Sequence, residues 1–314
     1  MFIKFYGVRG SVPSPVTPQQ IQAKIQAVLE RITPEDIKNE DAKTRFLSTL
    51  PSWLYGTAGG NTPCVEVITK NNTNIIFDCG TGLRVLGKNS EVPKDKTYHI
   101  FISHYHWDHL QGFPFFDRIY DHSINIQIYS NFENAEEYMR GQNSVPYFPE
   151  NACWDKIKDH IHFNLIEADQ PFYINGVKIN SHKMKHPGDS YSFSVEEDNK
   201  KFIYSTDVEL QMSDYDVSEK RNHFFKDADM CILDCQYTNL EAIQKENWGH
   251  SSYSSAIDFA ELWNIKKLFM FHHEPTYDDK KLESLLNSGR VYQKYKQNML
   301  PELHLATEGM VVEL

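Results

Sequence analysis

The sequence predicts an α/β protein in which two sheets pack face to face with helices outside. Three observations carry that reading. Strand-like runs fill two halves of the chain, and helix-like runs are interspersed in each. No low-complexity tract, repeat or composition break divides the 314 residues. A hydrophobic fraction of 40% against 24% charged residues fits a globular enzyme able to bury a large core.

The elements follow in order. A first strand over 2–8 runs into a turn punctuated by Gly7, Gly10 and Pro13. From 17 to 50 the period changes. Ile21, Ile25, Val28, Leu29 and Ile32 recur at helical spacing, and a second periodic run covers 34–50, so two helices are expected. Thr33-Pro34-Glu35 supplies a cap with proline at the first helical position. Strands at 64–69 and 74–77 flank Lys70-Asn71-Asn72-Thr73, which predicts a hairpin. A strand over 98–102 leads straight into a histidine-rich segment. A strand at 124–129, a helix over 131–140 and an aromatic, proline-containing loop over 143–149 come next.

In the second half, strands are expected at 172–174, 177–182, 190–195, 201–205 and 230–233. Asn175-Gly176 is the strongest hairpin signal in the chain. A helix over 251–263, capped by Ser251 or Ser252, precedes a strand at 267–271. A polar helix over 278–296 and a final strand near 310–314 complete the pattern.

Composition bounds the function. The net charge of −11 argues against sequence-independent binding to extended nucleic acid, which needs a cationic track. It leaves room for a small phosphorylated substrate held by metal. No apolar run approaches the roughly 18 residues that span a bilayer. Residues 1–10 lack the apolar stretch and cleavage site of a secretory signal, so a cytoplasmic protein is expected. The five cysteines, Cys64, Cys79, Cys153, Cys231 and Cys235, have no paired spacing and read as reduced thiols.

The chemistry concentrates in Ser103-His104-Tyr105-His106-Trp107-Asp108-His109. Three histidines and an aspartate follow a buried-looking strand within six residues. On an extended chain His104 and His106 point the same way. Imidazole and carboxylate donors suit zinc, and also manganese or iron. Of the 14 histidines, His99, His122, His160, His162, His182, His223 and His304 stand alone and read as surface or satisfied core residues. His186 and His272 follow strands, His250 precedes a helix start, and Asp207 ends a strand. Such strand ends are where an α/β enzyme gathers its site.

The set His104-x-His106-x-Asp108-His109, then His186, Asp207 and His272, resembles the metallo-β-lactamase fold superfamily. The chain is most similar to its phosphodiesterase branch, which includes ribonuclease Z, the small-phosphodiester hydrolase of the carbon–phosphorus lyase pathway and bacterial cyclic-nucleotide phosphodiesterase-like hydrolases. The shared stretches are Gly7-Val-Arg-Gly-Ser-Val-Pro-Ser14, Gly59-Gly-Asn-Thr-Pro-Cys64, Phe77-Asp-Cys-Gly-Thr-Gly82, Asp234-Cys-Gln-Tyr-Thr238, Trp248-Gly-His-Ser-Ser252 and Phe271-His-His-Glu-Pro275. They run from end to end of the chain apart from about 14–57.

The resemblance implies a four-layer αββα sandwich, one hydrolase domain over 1–314 with a helical insertion at about 15–57. It implies two divalent ions, zinc in the first place. His104, His106 and His186 would hold one ion, Asp108, His109 and His272 the other, and Asp207 would bridge them. Such a pair shares a water, lowers its pKa and clamps a phosphoryl oxygen. By the same resemblance Asp108 would be catalytic as well as a ligand. Asp78 would orient a ligand histidine. His250 resembles the ribonuclease Z histidine that donates a proton to the leaving oxygen. Asp234 is its matching carboxylate, where ribonuclease Z carries Glu. His273 would point away from the site.

The expected function is hydrolysis of a small phosphodiester, such as a cyclic nucleotide. The alternative is a hydrolase of a carbonyl substrate: a lactone, thioester or β-lactam. A di-iron protein handling oxygen or nitric oxide normally has Glu in place of the second histidine, and His106 argues against it. Loss of ligands would mark a binding protein, and all seven are present. The insertion is not the long Gly- and basic-rich arm with which ribonuclease Z clasps transfer RNA. Its amphipathic helices are expected to pair two copies of the chain, because apolar faces on an added segment need burial. The aromatic loop around Tyr147 and Phe148, with Trp154 and the Phe113–Phe116 run, is expected either to line the pocket or to pack internally.

Overall fold

Short apolar runs bounded by turn residues become strands throughout the computed structural model, which describes residues Met1–Leu314. In chain order they are β1 (Phe2–Gly7), β2 (Cys64–Ile68), β3 (Asn74–Phe77), β4 (Thr97–Phe101), β5 (Asn125–Ser130), β6 (Ile161–Leu165), β7 (Phe172–Ile174), β8 (Val177–Met184), β9 (Ser190–Glu197), β10 (Lys200–Ser205), β11 (Met230–Asp234), β12 (Lys267–Phe271), β13 (Glu302–Leu305) and β14 (Val311–Glu313). They form two seven-stranded sheets, ordered β14-β1-β2-β3-β4-β5-β6 and β13-β12-β11-β10-β9-β8-β7. Only β14 crosses back, pairing antiparallel with β1 so that Phe2 faces Glu313.

Each sheet contains four neighbouring parallel strands, β3 to β6 and β10 to β13. Parallel strands are covered on both faces, and their sequences show it. Every residue of β3 and of β11 is buried. Alternation then divides them between layers. Ile75 and Phe77 enter the core between the sheets, where they join Phe193, Phe202 and Phe269. Ile76 faces outward to Leu83 and Leu86 of the helix Gly82–Asn89. On the other sheet, Ile232 points inward, while Cys231 and Leu233 meet Phe225, Phe259 and Leu282 from three outer helices. The result is helix, sheet, sheet, helix.

The Asn175-Gly176 hairpin forms as expected. Both residues have positive φ, 49° and 84°, and Ile174 pairs with Val177 across them. Elsewhere the local reading needs correction. The run 34–50 is not one helix. A 3₁₀ turn at Pro34–Ile37 ends where the Asn39 side chain accepts from Ala42 N at 2.8 Å and starts a new helix, Glu40–Thr49. A further short helix, Ser52–Tyr55, follows. The helix expected from 131 begins at Ala135, because the Asn131 amide is engaged in the loop with Ile166 O and Ser181 Oγ. β6 and β13 went unread. Both are short and half-exposed, so they lack a strong apolar pattern.

The helix Pro18–Leu29 buries no residue, although Thr17 and Gln20 form a complete capping box. It is tied down by Lys24 Nζ, 2.5 Å from Asp279 Oδ2. All five cysteines are free, and all but Cys153 are buried. No helix is long and apolar enough to cross a membrane.

Candidate metal centre

The carboxyl ends of the parallel strands converge on one edge, the place where open α/β sheets bind ligands. Asp78 follows β3, the segment 103–109 follows β4, Asp207 follows β10, Asp234 ends β11 and His272 follows β12. Asp78, Asp207 and His272 share a further feature: positive φ, at 61°, 45° and 56°. That conformation breaks the pleat and re-aims the side chain, at a cost of about 1–3 kcal/mol for a non-glycine residue. Its recurrence at three strand ends marks a constrained site.

Two groups of potential ligands form there. His104, His106, His186 and Asp207 bring one donor atom each within 4.8 Å of one another, and so do Asp108, His109, Asp207 and His272. Asp207 belongs to both. Its Oδ1 lies 3.1 Å from His109 Nε2 and 3.1 Å from His272 Nε2. Its Oδ2 lies 3.5 Å from His104 Nε2 and 3.8 Å from His186 Nε2. Asp108 Oδ2 sits 3.2 Å from His272 Nε2 and accepts from Ser11 N at 2.7 Å. After β4 the chain stays extended through His106, then closes into a 3₁₀ turn over Trp107–His109, which swings Asp108 and His109 to the second group.

The imidazoles are held from behind. His109 Nδ1 donates to Asp78 Oδ2 at 2.8 Å, His186 Nδ1 to Gly249 O at 2.8 Å, and His272 Nδ1 to Gln236 Oε1 at 2.9 Å. His104 Nδ1 meets Ser103 Oγ at 3.0 Å, and that hydroxyl donates on to Asp78 Oδ2. With the proton fixed on Nδ1, each Nε2 presents a lone pair to the centre. His104 Nε2 and His109 Nε2 are buried without a hydrogen-bond partner. Buried polar atoms are seldom orphaned, and cations would satisfy these two. The donor set therefore fits divalent metal.

The electrostatics agree. Burial, with neighbouring imidazoles, pulls His104 well below the ordinary histidine value. Burial also lowers His106 and His186, against the pull of Asp207. Burial alone would raise Asp108 and Asp207, but the surrounding imidazoles hold both carboxyls well below the usual range. Burial pushes His109 down as well, but Asp207, Asp108 and Asp78 outweigh it and lift it well above the ordinary histidine value, so a metal would displace its Nε2 proton on binding. The lowered His104, His106 and His186 and the ionised carboxylates already have the forms a metal needs.

His250 stands beside both groups. Its ring lies 4.9 Å from that of His272 and nearly parallel to it, and 5.3 Å from that of His186. His250 Nδ1 is 2.7 Å from Asp234 Oδ2. Asp234 is fully buried and also accepts from Ser251 N and Gln236 N, each at 3.1 Å. Burial pushes the His250 imidazole down, but Asp234 outweighs it and brings the pKa up to about 9.

The seven ligand candidates, with Asp78, His250 and Asp234, thus meet at one edge; His273 points away as expected, and Phe113 and Phe116 of the aromatic run are buried under the first sheet. His273 turns into the body, where its Nε2 donates to Ala306 O at 2.8 Å. Trp154 does not line the pocket: it is buried under the first sheet against Phe163. Sequence reasoning missed the supports. Gln236 is oriented by donating to Glu274 Oε2 at 3.1 Å. Gly249 has φ +92°, donates to Glu209 Oε2 at 2.8 Å, and would press a Cβ into the His186 ring. Both lie inside quoted stretches, Asp234–Thr238 and Trp248–Ser252, but without a role attached.

Known proteins resemble this chain in sequence and in fold. Ribonuclease Z from Picrophilus torridus is 27% identical over 292 residues, covering 77% of this chain and 91% of its own. The metallo-β-lactamase fold protein YhfI from Bacillus subtilis aligns over 100% of this chain and 98% of its own, with a TM-score of 0.66 at 17% identity. Human tRNase Z, short form, aligns over 100% and 99%, with a TM-score of 0.60 at 19% identity. The family model described as the beta-lactamase superfamily domain matches residues 73–273, more than half of the chain and most of the centre. Together with the two-sheet sandwich, that match establishes that this chain belongs to the metallo-β-lactamase superfamily.

Proposed function

We propose that the protein is a dinuclear-metal phosphodiesterase acting on a small phosphodiester, a cyclic nucleotide being one such substrate. His104, His106, His186 and Asp207 would hold one ion, and Asp108, His109, His272 and Asp207 the other. Zinc suits the donors best, and manganese or iron is compatible with them. When bound, the ions supply Lewis acidity, which lowers the pKa of an attacking water and offsets charge gathering on the phosphoryl group.

The observation that carries the reaction type is the His250–Asp234 pair, with its 2.7 Å bond, set against the ring of His272. Cleaving a phosphodiester expels an alkoxide, which needs a proton. His250 would hold that proton on Nε2, and Asp234 would fix the ring by accepting a hydrogen bond from its Nδ1–H. Asp234 is locked by backbone amides, so the imidazole turns little between turnovers. Asp78, Gln236 and the Gly249 carbonyl keep the ligand imidazoles aimed, so the site is organised before substrate arrives. The Ribonuclease Z relatives support diester chemistry. The −11 charge and the absence of a basic arm favour a compact substrate over an extended nucleic acid.

The test is hydrolysis of bis-p-nitrophenyl phosphate against p-nitrophenyl acetate, nitrocefin and a lactone, with metal content measured on the same sample. Turnover of the diester alone is the expected result. Lactone or β-lactam turnover with an inert diester would move the protein to carbonyl chemistry and leave His250 without its assigned task.

A further inference from the structure

Beside His106 lies a cavity of about 730 Å³, large enough for a drug-sized group. Two stretches of chain build it: the histidine segment and the turns after it, with Trp107, Pro114 and Phe115, and the loop after the helix Ala135–Gln142, with Tyr147 and Phe148. Tyr138 completes the wall. Among its 15 lining residues there is no Asp, Glu, Lys or Arg, and His104 and His106 are the members that touch the metal centre. Phe115 packs edge-on to Phe148 and Tyr138 against Tyr105, but the outer rings keep most of their surface free. Trp107 is 86% exposed, Tyr147 79% and Phe115 54%. Exposed aromatic surface gathered into one concavity marks a binding site rather than a core.

We infer that this cavity takes the organic arm of the substrate, and that the arm is a single uncharged planar group: a nucleobase or another aryl ring. This rests on the phosphodiesterase reading for the charged half of the substrate. The metal centre meets the phosphoryl group, and the adjoining wall offers π-faces and nothing cationic. A substrate running on through further phosphates would need lysine or arginine along its path. Base-on-aromatic stacking strengthens binding by about 5- to 150-fold per ring. Phe115 and Tyr147 are the specificity-determining residues of choice, because Trp107 stands between two ligands.

The experiment measures binding and turnover on the metal-loaded protein. Calorimetry compares 1-naphthyl phosphate, adenosine 5′-monophosphate and methyl phosphate, for the wild type and for Phe115→Ala and Tyr147→Ala. Both side chains are more than half exposed, so their removal leaves the folded core intact. The expected result is an affinity at least about tenfold higher for a ring-bearing ligand than for methyl phosphate, with that ratio falling about fivefold or more in each variant. Preference for the nucleotide assigns the cavity to a nucleobase, and preference for naphthyl phosphate to another aryl arm. Equal affinities in the wild type, or a preference untouched by both variants, overturns the assignment. So does a transfer RNA with a 3′ extension that binds more tightly than either, with steep salt dependence. Turnover of bis-p-nitrophenyl phosphate on the same samples separates the two claims. Ring preference without turnover sinks the phosphodiesterase reading and leaves the cavity standing, whereas turnover without ring preference does the reverse.

Discussion

The strand ends after β4, β10 and β12 and the helices between residues 17 and 55 are built on opposite principles. At the strand ends, buried imidazoles and carboxylates are bonded on the far side: His109 to Asp78, His186 to Gly249, His272 to Gln236. In the helices between residues 17 and 55 the apolar side chains are largely uncovered. Pro18–Leu29 buries nothing, and Ala42 and Leu54 are the buried residues of the next two helices. Local propensity and capping suffice to form such helices against a neighbour, but they specify no site. A catalytic centre needs each donor aimed within a fraction of an ångström, and only a closed network does that.

The comparison predicts a gradient of effects. Asp207→Ala comes first, since one carboxylate serves both ligand groups. Elemental analysis should find both ions lost, with diester hydrolysis at background; retention of two ions would remove its bridging role. Next come the supports. Asp78→Asn and Gln236→Ala should each weaken metal affinity about 10- to 100-fold, read by competition with a chromophoric chelator. An unchanged affinity in both would mean that the backing bonds do nothing for the ligands. Gly249→Ala should produce a similar loss confined to the His104, His106 and His186 group, because the new methyl meets the His186 ring. Equal weakening of both ions would show that the damage spreads through the fold instead.

Residues 17–55 mark the lower end. Ile25→Glu should change stability by no more than about 0.5 kcal/mol, and Tm by about 2 °C or less. Ile21, Ile25 and Leu29 form one exposed stripe at helical spacing. The homodimer expected from the sequence would use that stripe, so sedimentation of wild type and Ile25→Glu is the matching measurement. A wild-type monomer retires the dimer.

The two regions also differed in how far the sequence exposed them. His104, His106, Asp108 and His109 stand within six residues, so their spacing alone announces a ligand set. His186, Asp207 and His272 are far apart in the chain, yet each follows a strand at one sheet edge, and the family pattern joins them. The supports stayed hidden for a physical reason. The Gly249 carbonyl is backbone and has no side-chain signature, and Gln236 matters only through a bond that folding creates. The aromatic residues show the same limit. Nothing in the residue types told Tyr147, at the cavity, from Trp154, in the core, because the layer an aromatic side chain enters is decided by packing. Edge strands β6 and β13 were silent because half-exposed strands carry mixed patterns. The helical spacing of Ile21, Ile25 and Leu29 was legible, but amphipathic spacing by itself names no partner.

The central claim is that one edge of the sandwich holds two ions and that a separate His250–Asp234 pair supplies the proton. Metal content and bis-p-nitrophenyl phosphate turnover, measured together for wild type and His250→Ala, test it most directly. The account predicts about two ions per chain in both proteins, with kcat in the variant about 10²- to 10⁴-fold lower. Wild-type turnover in His250→Ala, or loss of metal from it, would contradict that division of labour.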